Sequence, residues 1–169
     1  MSNNNNNEIY GSFEDSIREK LTGDSLTNAL DFAAYVKENG MTTKGEHGEV
    51  SYMEKALCYT YIDGSERMPG PWTVWTEGNY SVENRAVPMD AGMKEIAWAN
   101  VNYCGNCGNA CSPGKTATIL GKDFENVCSA VMVFTDPDAD TMQCVKKLMD
   151  MRKHAIFNGA ASTNIEIIH

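Results

Sequence analysis

Ala56-Leu-Cys-Tyr-Thr-Tyr-Ile62, followed by Trp72-Thr-Val-Trp-Thr-Glu77, is the stretch whose reading decides the fold class. Both segments are rich in β-branched and aromatic residues, and both end at turn-forming sequence, Asp63-Gly64 and Gly78. Period-two alternation puts Leu57, Tyr59 and Tyr61 on one face of the first strand and Cys58, Thr60 and Ile62 on the other. Val50 to Met53 reads as a strand before them, with Glu54-Lys55 as a tight hairpin that lacks the usual glycine. Met68-Pro-Gly-Pro71 supplies a rigid loop before Trp72.

Trp72 and Trp75 are three apart on a strand and therefore face opposite sides. Either both faces are covered or one indole lines an opening. With this strand beside that of Tyr59 and Tyr61, the residues Tyr59, Tyr61, Trp72, Trp75 and Glu77 offer an aromatic wall with a carboxylate. Such a wall suits a flat aromatic or cationic small molecule; the same side chains also serve an ordinary core.

Helical spacing flanks the strands. Phe13, Ile17 and Leu21 recur through 12–21, and Leu26, Ala29, Leu30, Ala33 and Val36 follow a cap at Asp24 or Ser25, with Gly40 past the end. Met89 to Tyr103 is predicted as a third helix, with Asp90 near its start. Lys115 to Leu120 and Val127 to Phe134 read as strands joined by a loop over 121–126. Asp136-Pro137 is expected to cap a last helix reaching Ile156, with Pro137 at its first position. Asp136, Asp138 and Asp140 imitate the opening of a calcium loop, but Thr141 and Lys147 occupy the positions needing glycine and glutamate, so they read as acids favoured at a helix start. The expectation is an α+β fold, an antiparallel sheet of about five strands with helices packed mainly on one face and one metal-stabilised loop. Residues 1–11, which include an asparagine run, are predicted as a disordered tail, 12–158 as a single domain, and 159–169 as a tail or short edge strand through Ile165-Glu-Ile-Ile168.

The loop carries the only spacing that dictates chemistry, Cys104-Gly-Asn-Cys107-Gly-Asn-Ala-Cys111-Ser-Pro-Gly114, answered by Cys128. A C-x-x-C turn offers two thiolates from one knuckle, and a tetrahedral zinc ion needs four such ligands. Cys104, Cys107, Cys111 and Cys128 form that set, with an iron–sulfur cluster or no metal as alternatives. The second reading is a redox protein or thiol-dependent enzyme using Cys104 and Cys107, which would need the motif to open a helix; here it follows one. Cys58 and Cys144 are expected to be buried, inert thiols. Ser112 to Thr116 resembles the end of a phosphate loop, but Asn109 stands where glycine is required. His47, His154 and His169 show no spacing for a metal site or triad, and Glu46, Glu49, Glu77 and Glu95 cannot be paired across a cleft from sequence.

At 169 residues, with a hydrophobic fraction of 42%, the chain suits one domain with a substantial core. A net charge of −9 and the lack of a basic stripe argue against nucleic acid as a partner. Lys146, Lys147, Arg152 and Lys153 cluster toward the end of the last helix, where they complement its dipole. No apolar run reaches the length of a membrane span and the first residues lack a secretory layout, so the cytoplasm is the expected compartment. A reducing compartment favours thiolate ligation over disulfides.

The segments Lys94-Glu-Ile-Ala-Trp-Ala-Asn100, Cys104-Gly-Asn-Cys107, Gly121-Lys-Asp-Phe-Glu-Asn-Val-Cys128 and Pro137-Asp-Ala-Asp-Thr-Met-Gln-Cys144 resemble a group of uncharacterised small bacterial proteins, over Asp31 to Ile156. The resemblance implies a single bacterial domain and no particular activity. The order helix, hairpin, strand, helix, hairpin, helix also resembles effector-binding domains of drug-sensing regulators, which implies aromatics and an acid on the sheet holding a ligand.

Overall fold

The structure, a computed structural model, describes residues 5–45, 47–62, 70–77, 87–105 and 112–158, with residues 5–12 and 77 described by their backbone. The chain runs α1 (Asn5–Lys20), α2 (Gly23–Glu38), β1 (Thr42–Lys44), β2 (Glu49–Tyr52), β3 (Lys55–Ile62), β4 (Trp72–Glu77), α3 (Ala91–Ala99), β5 (Val101–Tyr103), β6 (Lys115–Ile119), β7 (Lys122–Thr135) and α4 (Ala139–Phe157). Among the described residues every strand pairing is antiparallel, and the sheet has seven strands in the order β1-β2-β3-β4-β7-β5, with β6 also on β7. The α+β class holds, and the strand number is corrected upward. The two added strands, β1 and β5, have three residues each, too few to display a period-two pattern.

The long β7 is the spine. The polar run 122–126 reads as a loop in sequence, yet the hairpin needs only Leu120-Gly121, both at positive φ, because Ile119 pairs with Lys122 and Phe124 turns inward. β4 flanks its second half and β6 its first, while β5 runs along the opposite edge.

Bulges let consecutive apolar residues share the core face. Val50 pairs with Cys58 and Ser51 with Ala56, so Leu57 is the extra residue; Thr76 pairs with Met132 and Glu77 with Ala130, so Val131 is extra. An extra residue suspends the alternation locally, and all of Leu57, Cys58, Val131 and Met132 are buried. Against this face lie the helices: the Phe32 ring of α2 meets Trp72 at 6.1 Å, Cys58 Sγ donates to Met149 Sδ of α4 at 3.8 Å, and Phe13 of α1 packs on Gly48 beside Thr60. Phe13, Ile17 and Leu21 are all in the core, as their spacing predicts, although α1 begins earlier than expected, at Asn5.

Other element ends also shift. α3 stops at Ala99 and the chain turns into β5, so residues 101–103 are not helical; the Asp90 cap does hold, accepting from the Met93 N–H at 2.8 Å. The α4 cap is Asp138, which accepts from the Thr141 N–H, and that bond holds its carboxyl below the usual range. Asp136 sits at φ +43 and accepts from Ser25 Oγ at 2.6 Å instead, tying α2 to the α4 entry. No described helix is long and apolar enough to cross a membrane.

The β2–β3 turn is Met53-Glu54, one residue earlier than expected, with φ +49 and +62. That sign pattern belongs to a type I′ turn, which normally takes Asn-Gly. Met53 is exposed and loses nothing on replacement. Met53→Asn with Glu54→Gly is therefore expected to stabilise by about 1–2 kcal/mol, a rise in melting temperature of roughly 5 °C; thermal denaturation checks it.

Candidate ligand-binding face and cysteine cluster

Alternation along β3 and β4 sorts the aromatic residues. Trp72 faces the helices, pairs with Ile62 and is fully buried. It is core, which removes it from the expected wall. Trp75 faces the other way and pairs with Tyr59; their rings stack at 5.4 Å and 18°, and both are half-buried. Tyr61 is on the same face two residues on, and the His47 ring stacks on it at 4.4 Å and 13°. Of the expected wall, Tyr59, Tyr61 and Trp75 are thus brought together. Glu77 continues β4 opposite Ala130, and its side chain lies outside what is described.

Two members of this face escape sequence reading. Glu49 is the register partner of Tyr59, so a carboxylate stands across from the tyrosine, accepting from Ser51 Oγ at 3.3 Å. His47 is placed by the turn before β2: Thr60 Oγ1 donates to the His47 carbonyl, and the Thr60 N–H donates to the Gly48 carbonyl at 3.0 Å. A candidate hairpin partner for Tyr59 was visible in sequence, but its register was not, because the bulge at Leu57 shifts it by one residue.

At the other end of the sheet, Tyr103 of β5 and Lys115 of β6 both pair with Val127, on opposite edges of β7. The chain ends leaving these strands converge on Asn126, which sits at φ +58. Cys104 N donates to Asn126 O at 2.8 Å, Asn126 Nδ2 donates to Cys104 O at 3.2 Å, and a Cβ on Gly114 would lie 2.7 Å from Cys104 Cβ. Cys128 follows two residues along β7, and both Cys104 and Cys128 are half-buried. Cys107 and Cys111 lie outside the described residues. Among the described residues no group of three or more metal-ligating side chains converges. Cys104 directly follows β5, and the helix that a redox use of the motif would need falls on 106–111, outside the described residues.

Cys58 and Cys144 are buried, as expected. Burial pushes the Cys58 thiol well above its ordinary range, and burial with the nearby Asp90 charge pushes Cys144 up to about 12. Neither is a nucleophile at neutral pH. His154 lies in the last turn of α4, and His169 is outside the described residues. No family model, curated protein or solved structure matches the chain.

Proposed function

We propose that the chain is a small non-enzymatic binding or regulatory domain whose ligand, a flat aromatic or cationic molecule, stacks on the Tyr59–Trp75 face. The observation that carries the reading is the contrast within one strand. Trp72 is fully buried under α2, whereas Trp75 is stacked and half-buried on the side away from the helices, with the Glu49 carboxylate across from its partner Tyr59. An indole and a phenol in parallel orientation beside a carboxylate attract an organic cation through both ring quadrupole and charge. Titration with phenyltrimethylammonium is expected to quench tryptophan fluorescence saturably in the wild type and not in Trp75→Ala. A flat response in the wild type would overturn the reading.

In the same proposal Cys104, Cys107, Cys111 and Cys128 hold a structural zinc ion between β5 and β6. Support comes from the donor set and from Cys104 and Gly114 meeting at Asn126, beside Cys128. Four cysteine sulfurs suit zinc, which deprotonates the thiols it binds, and the ion would fix the loop rather than react. Protein purified without added metal is expected to carry about one equivalent of zinc; less than about half an equivalent would count against the site.

A further inference from the structure

Among the described residues, the face around Tyr61 carries two buried polar atoms without a hydrogen-bond partner. Thr73 pairs with Tyr61 on β3 and with Thr135 on β7, is fully buried, and its Oγ1 has no hydrogen-bond partner. His47, stacked on the Tyr61 ring, has a buried Nδ1 that also lacks one. The Glu49 carboxylate accepts from Ser51 Oγ and has lone pairs to spare. Alternation puts Thr73 on the same face as Trp75, one row along the sheet from the Tyr59–Trp75 stack. Two other orphan atoms of β4, Trp72 Nε1 and Thr76 Oγ1, face the helices and do not bear on this site.

A buried hydroxyl or ring nitrogen left unpaired destabilises the fold that contains it, and native proteins keep few of them. Here two such atoms flank one tyrosine, on an aromatic face that also holds a carboxylate. Threonine Oγ1, neutral histidine Nδ1 and carboxylate can all act as acceptors. The complementary group is one with several N–H donors in a plane and a positive charge. An anion would be repelled by Glu49, and a quaternary ammonium has no donor to offer.

We propose that this face selects a planar organic cation with a donor-bearing edge, of the amidinium, guanidinium or amino-heteroaromatic class. Its plane stacks on Trp75 and Tyr59, and its N–H groups meet Thr73 Oγ1, His47 Nδ1 and the Glu49 carboxylate. The inference rests on the ligand-binding reading of this face and names the chemistry it takes.

Calorimetric titration with benzamidine, a planar donor-rich cation, and phenyltrimethylammonium, a cation of similar size without donors, separates the two ideas. In the wild type benzamidine is expected to bind about tenfold more tightly, the effect of pairing a buried acceptor. Thr73→Val, which removes the hydroxyl at constant shape, is expected to erase most of that preference while keeping or raising the melting temperature. Glu49→Gln, at a partly exposed strand position, is expected to weaken both ligands and serves if the Thr73 variant folds poorly. Equal binding of the two cations, unchanged by Thr73→Val, would overturn the donor-edge inference and leave the aromatic site standing. Binding of neither would remove both.

Discussion

Gly48→Ala is expected to destabilise the protein by about 3 kcal/mol, lowering the melting temperature by roughly 10 °C. Gly48 has φ +80, a conformation an alanine adopts only at a cost of about 1 kcal/mol. A methyl group there would also sit 2.6 Å from a ring carbon of Phe13 and 2.7 Å from Thr60 Oγ1. Neither neighbour can withdraw freely. Phe13 is packed in the core of α1, and Thr60 is buried mid-strand, bonded to the very turn that contains Gly48. Overpacking of this kind adds about 1–3 kcal/mol. The substitution reaches the candidate site as well, because His47 precedes Gly48 and is held over Tyr61 by that turn. Thermal denaturation with a ligand titration measures both effects. Gly45, at φ +77 but with open space around its Cβ, is the control: alanine there carries only the backbone penalty.

Phe32→Ala is expected to be costlier still, by about 3–5 kcal/mol, through lost burial and the cavity left behind. Phe32 is fully buried on α2, stacked on Tyr35 at 6.4 Å and tilted against Trp72 at 6.1 Å. The space it fills lies between the sheet and the helix layer, so its loss loosens both. Tyr35, its neighbour, donates its hydroxyl proton to the Asp150 carboxylate at 2.5 Å, with the Lys146 carbonyl 3.0 Å from the same oxygen, fixing α2 to α4. Burial and the Asp150 carboxylate hold the Tyr35 phenol protonated well above its ordinary range. Denaturant unfolding should show the full loss in midpoint. A cost under about 1 kcal/mol would mean that the site collapses around the deletion.

Phe32 also shows what periodicity makes legible. It is three residues after Ala29 and four before Val36, so it falls on the same buried stripe of α2, and its ring is the part of that stripe that meets Trp72. The strand pair 56–62 and 72–77 is legible because both segments alternate and end at turns, and the three-residue separation of Trp72 and Trp75 correctly sends them to opposite faces. Less readable is whatever depends on register. The bulges at Leu57 and Val131 put neighbouring apolar residues on one face, the reverse of what alternation implies. Asp138 rather than Asp136 caps α4, since Asp136 is recruited by Ser25 from a distant helix. His47 and Glu49 join Tyr59, Tyr61 and Trp75 only through the fold of the β1–β2 turn, whose glycines were the sole local sign of it.

The central claim is that Trp75, and not the other tryptophans, forms a ligand surface. The chain has three, and each indole N–H gives its own resonance in a nitrogen–proton correlation spectrum. Trp72 is sealed in the core, and the Trp98 N–H donates to the Ile119 carbonyl at 2.8 Å. Titration with phenyltrimethylammonium, with the Trp75 signal assigned through Trp75→Phe, is predicted to move that signal saturably while the signals of Trp72 and Trp98 stay in place. A Trp75 resonance that stays fixed at millimolar cation, or three resonances that drift together, would contradict it.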